Sequence, residues 1–176
     1  AVVRGQLFDD ILEEKFFNPF TASLMLIIYG VILIIIESSK KVKVKTKTIQ
    51  ELSFKTAVGI GFFQCLAMIP GTSRSAATII GGVLLGLERV LATEFSFFLA
   101  IPTMFGASFY KIMKSGFNLS GYEVFLIALG FVLSFIISYI VIKLFLDYIK
   151  KHDFKVFGYY RIILGIVMLA FMFMTK

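Results

Sequence analysis

Apolar residues in this chain come in long runs, and the polar residues between them come in short clusters. Four runs, Phe20–Ile36, Val90–Tyr110, Tyr122–Leu146 and Tyr159–Met174, approach or exceed the about 20 mainly apolar residues that a helix needs to cross ~30 Å of hydrocarbon. A fifth apolar stretch, Ala57–Leu87, is cut by "PGTSRS" into two pieces of about 13 residues, each too short to cross alone. Two short helices meeting at a polar turn predict a re-entrant hairpin over 56–87. Membranes accept such a turn only where protein or a water-filled cavity satisfies its backbone. The expected fold class is therefore all-α: a polytopic integral membrane protein with four transmembrane helices and one re-entrant helical hairpin, forming a single membrane domain over 1–176. Its tip is expected near the midplane.

Composition agrees with the pattern, since 59% of the 176 residues are hydrophobic and only 16% charged, and soluble domains carry more charge than that. The net charge of +7 is concentrated in the gaps between apolar runs and points to membrane orientation rather than nucleic acid. Lys40, Lys41, Lys43, Lys45, Lys47 and Lys55 crowd one loop. If the hairpin returns to its starting side, Arg89, Lys150, Lys151 and Lys155 join them, against Arg4, Lys15, Lys111, Lys114 and Lys176 opposite. The excess places the lysine-rich loop in the cytoplasm. That loop reads as a solvated linker more than as a strand. Leu7–Phe17 reads as a short amphipathic interfacial helix ending before Pro19. The single cysteine, Cys65, excludes an intrachain disulfide. A start without Met or a signal peptide reads as the interior of a longer protein.

The polar break carries the chemistry. Pro70 and Gly71 end the first half-helix, and Thr72 or Ser73 can N-cap the second. A cap satisfies only part of a helix N-terminus, so N–H donors and the positive end of the dipole remain for an anion. Arg74 adds a permanent planar charge suited to phosphate, and Thr78, four residues on, lies on the same helix face. Ser73, Arg74 and Thr78 are the candidate catalytic residues, with Gly71, Thr72, Ser75 and Arg161 as candidate phosphate-binding residues. A capped break with its arginine paired to a buried acid is the structural alternative. The small residues Ala76, Ala77, Gly81, Gly82 and Gly86 predict close packing behind the tip.

"QCLAMIPGTSRSAATIIGG", "EFSFFLAIP" and "FGYYRIILG" resemble the bacitracin-resistance family of undecaprenyl-diphosphate phosphatases, over the C-terminal two thirds of a family member. The resemblance implies hydrolysis of undecaprenyl diphosphate to undecaprenyl phosphate and inorganic phosphate in the bacterial cytoplasmic (inner) membrane. It implies a fold of interlocked inverted repeats and a divalent cation, Mg²⁺ or Ca²⁺. By residue match it assigns phosphate binding and catalysis to Ser73, Arg74 and Thr78. The family's other, Glu-rich motif is absent from these residues, so its metal-binding carboxylates are expected outside this chain and the fragment alone is expected to be inactive.

Two other polar residues stand in apolar runs as supporting residues. Glu94 is expected to pair with Arg74 or Arg161, to snorkel to the interface or to act directly, and Gln64 to hydrogen-bond between helices. Arg161 has two readings, an interfacial anchor beside tyrosines and a second phosphate clamp. His152 reads as a solvated loop residue, and Pro102 as a kink that opens lateral entry for lipid. The expected partners are a polyprenyl diphosphate lipid and membrane lipids, with a homodimer allowed and nucleic acid excluded. The rival function is a transporter or flippase of polyprenyl phosphate or another anion, using the same broken-helix site without chemistry.

Overall fold

The computed structural model describes residues 18–39, 43–115 and 120–174. The expected helix Leu7–Phe17 lies outside the described residues, as do Arg4, Lys15, Lys40, Lys41 and Lys176 of the charge count. The described residues form the α-helices α1 (Pro19–Ser38), α2 (Phe54–Cys65), α3 (Arg74–Leu84), α4 (Arg89–Ser115), α5 (Gly121–Lys151) and α6 (Lys155–Met174). Helices α1, α4, α5 and α6 are long and apolar enough to cross a membrane, whereas α2 and α3 are apolar but short. The chain is thus a polytopic, all-helical membrane protein.

Each long helix contains the apolar run that predicted it and extends past it into polar residues. Helix α1 begins at Pro19 because Asn18 caps it, its Oδ1 accepting from the N–H of Thr21 at 2.7 Å, and proline loses nothing at N1. Helix α5 begins at Gly121 behind a capping box, in which Ser120 and Glu123 bond each other's backbone N–H. Helix α4 runs through Pro102 without interruption.

Contacts divide the described residues into two compact units, one of those up to 96 together with those from 153 onward, and the other of those between 97 and 152. In the first, α1 packs antiparallel on α6 through small residues. A Cβ built on Gly158 would stand 2.9 Å from the Gly30 carbonyl, and one on Gly165 2.7 Å from the Ser23 carbonyl. Only glycine permits such backbone approach, which is how apolar helices gain contact without a hydrophobic driving force. The Glu37 carboxylate ties the far end together, accepting from Arg89 Nη1 and from the Phe154 N–H, each at 3.3 Å.

Helices α2 and α3 form the hairpin behind the polar turn. A Cβ on Gly81 would meet the Phe63 ring at 2.5 Å, and one on Gly82 would meet Ala92 Cβ at 3.0 Å, so the expected small residues of α3 seat it against α2 and α4. The lysine-rich segment is not wholly a free linker. The Lys45 and Thr46 N–H groups both donate to the Gly86 carbonyl at 2.8 and 3.1 Å, and Glu88 N–H donates to the Thr46 carbonyl at 3.0 Å, pinning it beneath the C-terminal end of α3. In the second unit, Phe97 of α4 meets Phe145 of α5 edge-on at 6.2 Å. His152 stacks on Tyr148 at 4.3 Å and is exposed, as a solvated residue should be.

Candidate functional site: the turn between α2 and α3

The break starts earlier than proline requires. Helix α2 ends at Cys65, a 3-10 turn covers Leu66–Met68, and Pro70 follows in already non-helical chain. The reason lies in Thr72, which is fully buried and whose hydroxyl reaches the carbonyls of Ile69 at 2.7 Å and Leu66 at 3.2 Å. Each of these carbonyls also accepts a backbone N–H, Leu66 from Ile69 at 3.1 Å and Ile69 from Thr72 at 3.3 Å, so the hydroxyl is a second tie on both. The sequence-predicted phosphate contact from the Thr72 side chain is therefore spent inside the turn.

Gly71 has φ +86°, and a Cβ there would collide with the backbone of Ala22 in the first turns of α1. Glycine is needed twice over, for conformation and for space. Ser73 follows at φ +64° and ψ +123°, the one non-glycine residue with positive φ among the described residues. Such a conformation costs on the order of 1–3 kcal/mol and persists only where its surroundings enforce it.

Two devices enforce it. Ser73 N-caps α3, its Oγ accepting from the Ala76 N–H at 3.4 Å and lying 3.2 Å from Ser75 Oγ. From α6, Arg161 Nη2 donates to the carbonyls of Gly71 at 2.7 Å and Thr72 at 3.0 Å. The guanidinium lies over the Tyr29 ring at 6.0 Å, and its Nε is buried without a hydrogen-bond partner. Arg161 is thus turned to the tip rather than out to an interface, while its neighbours Tyr159 and Tyr160 are exposed.

The candidate residues separate by burial. Ser73 is exposed, and Arg74 and Ser75 are half-buried, on the open side of the α3 N-terminus. Thr78 is fully buried on the inner side, its hydroxyl 3.0 Å from the Arg74 carbonyl, 3.1 Å from that of Ser75 and 2.7 Å from Ser96 Oγ on α4. The structure therefore gathers Ser73, Arg74 and Ser75 on one side and sets Thr78 behind them. Ser73 accounts for the N–H groups of Ala76 and Ala77, through its Oγ and its carbonyl. The N–H of Ser75 makes no hydrogen bond among the described residues. The Arg161 guanidinium, that donor and the helix dipole together make the turn attractive to an anion, and Arg74 is the first residue of α3.

Glu94 is half-buried on α4, but among the described residues the ion pairs are Arg89–Glu37, Lys150–Asp147 and Lys155–Asp153. The expected pairing of Glu94 with Arg74 or Arg161 is not made. Gln64 is near the end of α2, and its Oε1 is buried with no partner, so the expected interhelical bond is also not made. No group of three or more His, Cys, Asp or Glu able to hold a metal occurs among the described residues. The described residues alone do not fit a divalent cation.

Tyr29, Ser96 and Glu37 escaped the sequence reading. Ser96 had a visible signal as the hydroxyl inside "EFSFFLAIP", whereas Glu37 reads as a loop residue and Tyr29 as one more aromatic in an apolar run.

The turn lies toward one end of α1. Gly71 packs on Ala22, only three residues into α1, whereas the middle of that helix is near Ile28. At 1.5 Å per residue the turn is about 9 Å from the middle of α1, toward its N-terminal end. The lysine-rich segment is bound at the opposite end of α3, about 16 Å away along that helix.

Residues 1–167 match the family described as bacitracin resistance protein BacA. The chain is 55% identical over 172 residues to undecaprenyl-diphosphatase 1 of Clostridioides difficile (strain 630), covering 98% of this chain and 62% of that protein. It is 51% identical over 170 residues to an undecaprenyl-diphosphatase of Enterococcus faecalis, covering 96% and 62%. To the undecaprenyl-diphosphatase of Fusobacterium nucleatum subsp. nucleatum it is 53% identical over 177 residues, covering 98% and 66%. The chain thus spans a little over three fifths of the length of the curated relatives it matches.

Proposed function

This chain belongs to the bacitracin resistance (BacA) family, and we propose that the protein of which it forms part hydrolyses undecaprenyl diphosphate to undecaprenyl phosphate and inorganic phosphate in the bacterial cytoplasmic membrane. Recycling of the lipid carrier in this way would underlie bacitracin resistance. The observation that carries the reading is the Gly71–Ser75 turn, a strained N-terminus of α3 held open by Arg161 and carrying Arg74 at its mouth.

Hydrolysis breaks the anhydride bond between the two phosphoryl groups, with water attacking the terminal one. Negative charge spreads over the non-bridging oxygens as that bond loosens, so fixed donors matter more than covalent assistance. Arg74 and the Ser75 N–H supply fixed donors at the terminal phosphoryl group. The Ser73 hydroxyl binds rather than attacks. Its hydrogen-bond partners among the described residues are the Ser75 hydroxyl and the Ala76 N–H, and neither is a base that could take its proton. Arg161, committed through Nη2 to the turn's own carbonyls, shapes the phosphate cradle and adds positive potential.

The hairpin reads as re-entrant, because α2 and α3 are too short to cross and return to the same lysine-rich end. With that end cytoplasmic by its charge, a turn displaced toward the other end of α1 opens to the outer face. The test is turnover by the purified full-length protein. Undecaprenyl monophosphate and phosphate should appear in equal amounts from undecaprenyl diphosphate. Tight binding of the lipid with no phosphate released would favour a transporter and reject the hydrolase.

A further inference from the structure

The Thr78 hydroxyl has one proton and three neighbours within 3.1 Å: the carbonyls of Arg74 and Ser75, and the hydroxyl of Ser96. Thr78 can give its proton to either carbonyl, whereas Ser96 has no acceptor but Thr78 among the described residues, so both protons are used when Ser96 donates to Thr78. In the remaining contact, 2.7 Å long and between side chains that are 1% and 3% exposed, Ser96 is then the donor. A serine inside a helix usually returns its proton to its own backbone. Neighbouring residues of α4 do so, Thr93 to the Arg89 carbonyl at 2.9 Å and Thr103 to the Leu99 carbonyl at 2.9 Å. Ser96 makes no such bond among the described residues.

We propose that Ser96 is a positioning residue for the phosphate site: through Thr78 it fixes the first turn of α3, and with it the direction of Arg74 and of the Ser75 N–H. This rests on the reading of the turn as a phosphate site. The relay runs from the Ser96 hydroxyl to the Thr78 oxygen, and from the Thr78 hydroxyl to the carbonyls of the two residues that face the anion. Its burial excludes competing water, so the loss of one member leaves the other unsatisfied and the turn free to shift.

The experiment compares full-length wild type, Ser96→Ala, Thr78→Val and the double variant for release of phosphate from undecaprenyl diphosphate. Ser96→Ala should lower kcat about tenfold with KM within about twofold, because alignment of donors acts on the transition state more than on binding. The double variant should be no slower than Thr78→Val alone, since both changes cut one relay. Ser96→Cys, similar in size and a weak donor, should fall between wild type and Ser96→Ala.

An unchanged kcat in Ser96→Ala, or losses that multiply in the double variant, would overturn the proposal. Amide exchange over residues 76–78 gives a readout that needs no activity. It should quicken about tenfold in Ser96→Ala and stay unchanged in the control Ser134→Ala. If wild type releases no phosphate but exchange responds in this way, the functional reading fails while the relay stands. If exchange does not respond, the relay fails.

Discussion

The turn at 70–78 and the helix α5 both place polar residues in apolar sequence, yet the two regions use them in opposite ways. At the turn, Thr72 and Thr78 are 0% and 1% exposed, and each hydroxyl is bonded to two carbonyls. In α5, Ser134 and Ser138 are exposed, and nothing in its most apolar window is buried. A polar side chain buried in apolar surroundings must be satisfied, and its partners then fix the backbone around it. One that faces outward from a helix fixes nothing. The hydroxyls that shape the phosphate site are therefore the concealed ones, Thr72, Thr78 and Ser96, while Ser73 is exposed and Arg74 half-buried.

Substitutions should reproduce that ordering. The largest loss is expected for Gly71→Val, whose side chain would enter the backbone of Ala22 at a φ that β-branched residues avoid. Full-length protein should fail to accumulate in membranes or should unfold without a cooperative transition. Next, Arg161→Gln removes the charged donor to the Gly71 and Thr72 carbonyls. It should cost roughly 1.5–3 kcal/mol, measured as a lower thermal midpoint in detergent. Arg161→Lys, which keeps the charge and loses the planar fork, should recover only part of it.

Ser73→Gly would sharpen the contrast differently. Glycine relieves the strain at φ +64° but loses the hydroxyl and the cap. Stability should change by no more than about 1 kcal/mol while phosphate release falls at least tenfold. A parallel fall in both would mean that strain and function are not separate there. The smallest effect belongs to α5, where Ser134→Ala should move stability by no more than about 0.5 kcal/mol and leave turnover unchanged.

These regions also mark what a linear reading could reach. The four spanning helices were visible because crossing hydrocarbon demands an apolar run of fixed length, and only their ends were missed, as at the four residues from Lys155 to Gly158. The turn was visible through Pro70, Gly71 and the Ser73 cap, for which local rules exist. Its true start at Cys65 was not, because that depends on Thr72 turning back to Leu66. The roles of Arg161 and Ser96 depend on residues 90 and 18 positions away, a proximity created by packing alone. Glu94 shows the reverse error. Charge complementarity predicted an ion pair with Arg74 or Arg161 that the helix positions do not form.

The central claim is that a preorganised charge at the α3 N-terminus stabilises the breaking phosphoanhydride. Single-turnover phosphate release from undecaprenyl diphosphate by full-length wild type and Arg74→Ala, at saturating lipid and with folded protein normalised, tests it most directly. The account predicts a rate lower by about 10²–10³-fold in Arg74→Ala, the effect of removing one preorganised donor. Equal rates in the two proteins would contradict it.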